Sequence, residues 1–228
     1  GMYSFSIYDN EKKYLYLCRD NFGEKPLFYF KGNKGIIFSS EIKGILKLLN
    51  KKQIDLSLSG IQTYLNYGYF TNNNTVYKNI FSLPAGTYKI FKNLSYNSAT
   101  TINYFDQKKK INQNPHTATL DQNNTLNELD NLINNSVEKS LVSDVPVGLF
   151  LSGGVDSSLI GYYASKKISN IKTFTVSFDD NSFDELERAK SISNFLGIRN
   201  YNIKFRPTDY LEALEKNHNF FDQPFSDT

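Results

Sequence analysis

The first part of the chain is written largely in a period of two. Tyr3, Phe5 and Ile7 alternate with Ser4, Ser6 and Tyr8, which predicts a strand over 3–8. A polar turn over 9–13 follows. A second strand over 14–18 sets Leu15 and Leu17 against Tyr14, Tyr16 and Cys18. The runs PLFYF and IIFSS flank KGNKG, whose Gly32, Asn33 and Gly35 mark a hairpin turn. From Ser40 the period lengthens to that of a helix, with Ile42, Ile45, Leu46 and Leu49 on one side. A short helix over 58–67 should stop at Gly68, a residue suited to a left-handed helix end. TVYKNIFSLPAGTYKIF reads as a last region of strand. Residues 106–124, DQKKKINQNPHTATLDQNN, are polar and aperiodic and read as a linker.

Beyond the linker the pattern changes. Thr125-Leu126-Asn127-Glu128 has the form of a capping box opening a helix. Leu126, Leu129, Ile133, Val137 and Leu141 then form one helical stripe. A strand over 147–151, a helix over 156–167, a strand over 172–178, a helix over 184–196, a strand over 201–205 and a helix over 207–217 follow in turn. Asp184 and Glu187 suggest a further capping box at the second of these helices. Strands alternating with helices imply parallel βαβ units. The expected class is α+β, then α/β. The expected organisation is a domain over 1–106, a linker over 107–124 and a second domain over 125–228.

Composition narrows the picture. Of 228 residues, 39% are hydrophobic and 21% charged, as in a soluble globular chain. The net charge of +3 is too small to imply nucleic acid or an anionic membrane as partner. No apolar run approaches the ~20 residues that span a bilayer. The start, GMYSFSIYDNEKK, has neither a basic lead nor a long apolar centre, so no signal peptide is expected. Cys18 is the single cysteine, which excludes an intrachain disulfide and a cysteine zinc cluster and favours a cytoplasmic setting. The richness in Asn, Lys, Tyr, Phe and Ile reads as nucleotide bias. Both ends read as cut, one almost inside a strand and the other in the turn-like FFDQPFSDT.

The chemistry concentrates in LFLSGGVDSS, residues 149–158, at the carboxyl end of a predicted parallel strand, where open α/β sheets bind ligands. A helix start offers free N–H groups and a partial positive charge to phosphate. Gly153 and Gly154 let backbone approach an anion, and Ser152, Ser157 and Ser158 supply hydroxyls. Asp156 beside a polyphosphate suits Mg²⁺. No lysine follows the glycines as in GxxxxGK[ST], and the loop is not GxGxxG. S-G-G-x-D-S has the form of the pyrophosphatase-type loop of enzymes that split ATP between the α and β phosphates.

Ser143-Asp144-Val145-Pro146-Val147-Gly148, leading into FLSGGVDSS, then TFTVSFDD, FDELERAKSISNFLG and DQPFSD, resemble the synthetase domain of glutamine-hydrolysing asparagine synthases. GMYSFSIYD, LCRDNFGEKPLFY, FSSEIKGIL, YLNYGYF and LPAGTYKI resemble the latter part of the class II glutamine amidotransferase domain that precedes it in that family. The resemblance implies part of an Ntn-type amidotransferase domain, then part of a Rossmann-like, parallel-sheet ATP-pyrophosphatase (adenine nucleotide alpha hydrolase-like) domain. It implies ATP and Mg²⁺ activating the aspartate side chain as an acyl-adenylate, which glutamine-derived ammonia converts to asparagine. Carried over by position, Ser152, Gly153, Gly154, Asp156, Ser157 and Ser158 form the ATP loop, with Asp156 the Mg²⁺ ligand. Leu151 and Val176 match adenosine-pocket positions, for which core packing is the competing reading. Aspartate, glutamine and ATP are the implied partners, and the intact protein could be a homodimer.

The family's amidotransferase half opens with a nucleophilic cysteine, whereas residue 1 here is Gly1. Its glutamine-binding motifs lie upstream of GMYSF, and its second acidic loop lies beyond Thr228. The chain therefore reads as an incomplete piece without turnover of its own. Relatives that amidate a sugar acid or a peptide, or close an amide ring, remain open, as does a nucleotide-binding piece without catalysis. Cys18, inside a strand, reads as a small buried residue. Arg19-Asp20-Asn21-Phe22-Gly23-Glu24-Lys25-Pro26-Leu27 reads as a structural turn, and Glu41 as an acid favoured at a helix start. His116, His218 and Lys108–Lys110 read as surface, while Asp222 and Asp227 are left open.

Overall fold

A computed structural model describes residues 1–32, 35–106, 122–178, 185–217, 220–224 and 226. The chain divides into two compact units, one of residues 1–116 with 217–228 and one of residues 117–216. Asn33, Lys108–Lys110, His116, Asp184, His218 and Asp227 lie outside the described residues.

The first unit holds two antiparallel sheets. One runs β1 (Ser4–Asp9), β2 (Tyr14–Arg19), β6 (Thr87–Lys92) and β7 (Thr100–Asn103), in that spatial order. The other places β3 (Phe28–Lys31) between β4 (Ile36–Ser39) and β5 (Ile80–Ser82). The alternation of β3 explains the layering. Tyr29 faces a core of Leu15, Leu17, Leu27, Leu83 and Phe91 shared by the two sheets. Phe28 and Phe30 face the opposite way, onto Ile42, Ile45 and Ile80. Ile42 and Ile45 belong to α1 (Ile42–Leu46), which is shorter than the apolar pattern from Ser40 implies. Leu49 lies beyond its end. The helix over 58–67 forms as expected: α2 (Leu58–Tyr67) has a Ser57 side-chain cap and ends at left-handed Gly68. Strand β7 went unrecognised because only one of its four residues, Ile102, is large and apolar. It pairs with β6 through Tyr88↔Ile102 and three further pairs.

The turn after β2 is held by two charged side chains. Asp20, 1% exposed, accepts the backbone N–H groups of Tyr3, Phe22, Glu24 and Lys25. Arg19 donates to the carbonyls of Lys25, Gly23 and Leu83 and to Ser82 Oγ, at 2.7–2.9 Å. The RDNFGEKPL segment is thus a structural clamp on the strand ends. Cys18, in β2, is half-buried, and burial pushes its thiol pKa up. Glu41 makes no side-chain cap at α1; its carboxylate pairs with Lys43 at 3.3 Å. The Ile42 N–H instead donates to Asp222 Oδ2.

The second unit is built on a three-stranded sheet, β10 (Arg199–Phe205), β9 (Lys172–Phe178) and β8 (Gly148–Phe150), with both pairings parallel. Helix α3 (Gln122–Ser140) precedes it. Helix α4 (Val155–Lys167) joins β8 to β9, α5 (Leu186–Leu196) joins β9 to β10, and α6 (Pro207–Asn217) follows β10. Helix α3 includes Gln122–Asn124, whose polar, aperiodic sequence predicts linker, so Thr125 lies inside the helix and not at its cap. Its stripe packs only in its later part. Val137 is buried with Tyr163, Ala164 and Ile171, whereas Leu126 and Leu129 stay exposed. Strand β10 begins two residues earlier than the pattern suggested, at Arg199.

One face of the parallel sheet carries Leu149, Thr173, Thr175 and Ser177, all buried or half-buried against the helices. Small hydroxyl side chains line the strand on which α5 packs. The other face bears Phe150, Val176, Phe178 and Ile203, which remain exposed.

Burial opposes ionisation of Asp20, but four backbone donors outweigh it and hold the carboxyl down at about 2, against an ordinary 3.8. The folded state therefore binds fewer protons than the unfolded state between these values. The stabilisation from Asp20 is complete above about pH 4 and is lost as pH falls towards 2. Asp20→Asn should flatten that acid limb and cost roughly 2–3 kcal/mol at neutral pH, as read by denaturant unfolding across pH. An unchanged acid limb in this variant would count against the clamp.

Candidate functional site

Strand β8 ends at Phe150, and α4 begins at Val155. The four residues between must turn the chain from strand to helix. Gly153 does so at φ +76°, in the left-handed region. It also lies against α5: a β-carbon there would sit 2.6 Å from Arg188 Cβ and 2.8 Å from the Ala189 nitrogen. Glycine is thus required twice over, by backbone conformation and by the close approach of a helix. Gly154 is different. Its φ is −71°, and an added β-carbon would meet only Ser152 Oγ, at 3.3 Å.

The hydroxyls of the loop tie it to the first turn. Ser152 Oγ and Ser157 Oγ are 3.0 Å apart. Ser157 Oγ donates to the Gly154 carbonyl at 3.2 Å and accepts from the Ser152 N–H at 3.3 Å. Ser152 Oγ accepts from the Gly154 N–H at 3.3 Å. These bonds close the loop on itself and leave the start of α4 without a side-chain cap. The first N–H groups of a helix have no intrahelical acceptor, so those of Val155, Asp156 and Ser157 face outward unclaimed by the helix ladder. Ser158 Oγ is buried with no hydrogen-bond partner among the described residues. Asp156 is exposed in the first turn and makes no ion pair among the described residues.

These features suit an anion at the helix start. Among the described residues, no group of three or more His, Cys, Asp and Glu could cage a metal. A Mg²⁺ ion usually keeps several waters and takes one or two carboxylates plus phosphate oxygens. A single accessible carboxylate beside a phosphate cradle meets that requirement, so the donor set fits Mg²⁺ arriving with a polyphosphate.

Six of the eight residues anticipated as an ATP site, Ser152, Gly153, Gly154, Asp156, Ser157 and Ser158, fall together in this loop and first turn. Leu151 and Val176 do not share their surface. The Leu151 side chain is 2% exposed, inside the helix-covered core, so what it offers the loop is its main chain. Val176 is 39% exposed on the opposite face of the sheet. Pattern reading passed over Thr175 and Asn200. Thr175 Oγ1 donates to the Leu151 carbonyl at 2.7 Å and accepts from Asn200 Nδ2 at 2.9 Å. The available signal was the spacing of Thr173, Thr175 and Ser177, three hydroxyls on the buried face of one strand.

A glycine-hinged loop at the end of a parallel strand, opening an uncapped helix, is an arrangement in which α/β proteins receive phosphate. Comparison with known proteins sharpens this. Residues 1–105 match the glutamine amidotransferase domain family, and residues 128–228 match the asparagine synthase family. The chain is 33% identical over 227 residues to asparagine synthetase (glutamine-hydrolyzing) 1 of Bacillus subtilis, covering 100% of this chain and 34% of the relative. It is 35% identical over 184 residues to asparagine synthetase (glutamine-hydrolyzing) 2 of the same organism, covering 77% and 24%. The chain belongs to the glutamine-hydrolysing asparagine synthase family. It spans less than half the length of the curated relatives it matches.

Gly153→Ala should cost roughly 1–3 kcal/mol in denaturant unfolding, because it forces a left-handed alanine into contact with α5. Gly154→Ala should cost clearly less. Equal losses in the two variants would show that the approach of α5 to the loop does not constrain Gly153.

Proposed function

We propose that this chain supplies the nucleotide-phosphate part of an ATP-dependent amide ligase that makes asparagine from aspartate with glutamine as ammonia source. In this reading the loop over 152–158 receives the phosphates of ATP. The N–H groups at the start of α4 and the hydroxyls of Ser152, Ser157 and Ser158 hold the phosphate oxygens. Asp156, together with those oxygens, holds Mg²⁺, which when bound offsets their negative charge. The aspartate side-chain carboxylate attacks the α phosphorus, the α–β bridging bond breaks, and pyrophosphate leaves. Ammonia then attacks the acyl carbon of the adenylate. The carbon–oxygen bond to AMP breaks, and asparagine forms.

The observation that carries this reading is the uncapped start of α4 behind left-handed Gly153, within a segment that matches the asparagine synthase family. No residue of the chain is assigned as the glutaminase nucleophile. Gly1 has no side chain to serve, and Cys18 sits within β2 with its thiol pKa raised by burial.

The first unit, with its facing antiparallel sheets, is read as part of an Ntn-type amidotransferase domain over 1–106. The second, with parallel strands crossed over by helices, is read as part of a Rossmann-like ATP-pyrophosphatase domain over 125–228. Among the described residues no helix is long and apolar enough to cross a membrane. Leu151 main chain and Val176 are assigned to the adenosine side of the site. A cytoplasmic setting and a homodimeric intact protein complete the reading.

In the intact protein, Asp156→Ala should abolish aspartate-dependent pyrophosphate release from ATP while leaving the fold unchanged by circular dichroism. Undiminished release would rule out the role given to Asp156. Assay of the intact protein with aspartate, glutamine and ATP should yield asparagine; its absence would move the acceptor to another carboxylate.

A further inference from the structure

Strand β8 leaves the sheet one residue before the candidate loop. Its pairing with β9 runs as far as Phe150↔Phe174, and the Leu151 N–H still donates to the Phe174 carbonyl at 2.9 Å. The Leu151 carbonyl is taken by a side chain, with the Thr175 hydroxyl donating to it at 2.7 Å. Asn200 Nδ2, on β10, donates to Thr175 Oγ1 at 2.9 Å. A hydroxyl has one proton, and an amide NH₂ can only donate. The direction of the relay is therefore fixed: Asn200 to Thr175 to the Leu151 carbonyl. It crosses all three strands and stops at the residue before Ser152. Thr175 is 3% exposed and Leu151 2%, so neither group can readily exchange its partner for water.

We propose that Thr175, held by Asn200, is a positioning residue for the phosphate-binding loop. Its hydroxyl sets the orientation of the Leu151 peptide, and that orientation sets the direction in which residues 152–154 depart and where the first N–H groups of α4 point. The inference rests on the reading of residues 152–158 as a nucleotide-phosphate cradle. Thr173 provides an internal contrast. It lies on the same buried face of the same strand, but among the described residues its hydroxyl donates only to the Arg199 carbonyl, at 3.4 Å, and makes no bond to the loop or to Leu151.

The test is calorimetric titration of Mg·ATP into the full chain, with thermal unfolding recorded for each variant. Thr175→Val keeps the shape and removes the hydroxyl. It should weaken Mg·ATP binding roughly tenfold or more, since it leaves the buried Leu151 carbonyl without its donor and the half-buried Asn200 amide without its acceptor. Thr175→Ser should restore binding. Thr173→Val should lower thermal stability yet bind Mg·ATP as the unaltered chain does. Asn200→Ala leaves the Thr175 hydroxyl in place but unrestrained and should give a smaller loss; it carries the test if Thr175→Val does not fold. Binding by Thr175→Val or Asn200→Ala as tight as that of the unaltered chain, with Asp156→Ala impaired, overturns the positioning role alone. Equal weakening by Thr173→Val overturns it as well, by reducing the effect to general destabilisation. Failure of the unaltered chain to bind Mg·ATP overturns the cradle reading, and the positioning role with it.

Discussion

A buried carbonyl needs a donor, and where a strand stops pairing the sheet no longer supplies one. The Leu151 carbonyl sits at such a place and takes the hydroxyl of Thr175. The local architecture of the second unit follows from that requirement. β9 must present a hydroxyl at this position, and the face presenting it must be the one covered by helices. Its neighbours on that face, Thr173 and Ser177, are small and polar as well, so α5 can lie close to the strand. The large apolar residues of the strand, Phe174, Val176 and Phe178, are left to the other face. The usual expectation of greasy residues beneath the helices is inverted for a stretch of strand that borders a polar site.

Charge is used in a comparable way in the first unit. Asp20 and Arg19 are adjacent in sequence, yet they do not act mainly on each other. One collects backbone N–H groups and the other backbone carbonyls and a hydroxyl. Between them they satisfy the polar main chain where the two sheets meet their connecting turn. Such a turn would otherwise expose the core of Leu17, Leu27 and Leu83 beneath it to unpaired peptide groups.

Much of this was legible in the residues. Alternation located β1 and β2, the runs flanking KGNKG located β3 and β4, and Gly68 located the end of α2, because each signal is local; β5 and β6 fall within what reads as one undivided strand region. The loop and a helix start within one residue of Val155 were readable because two glycines end an apolar run and the acid and hydroxyls that follow suit the first turn of a helix. What was not legible was non-local. Strand β7 exists because β6 has a free edge, and its own residues show little alternation. Helix α3 starts before its apparent capping box because Gln122, Asn123 and Asn124 carry no strong stop signal. Thr175 looked like a strand residue among others, and only the register linking β8, β9 and β10 reveals what its hydroxyl touches. Leu151, just past β8, and Val176, inside β9, are not distinguished by the sequence pattern; the pleat sends them to opposite faces.

The contact between Gly153 and α5 has a temporal side. A chain made from its N-terminus acquires residues 152–154 well before it acquires Arg188 and Ala189, and the surface that shapes the loop is missing in the interval. The loop's sequence is local, but its conformation is borrowed from a helix still to be synthesised, one strand and one crossover later. The loop therefore meets the surface that shapes it only once α5 is in place, later than the strand from which it departs.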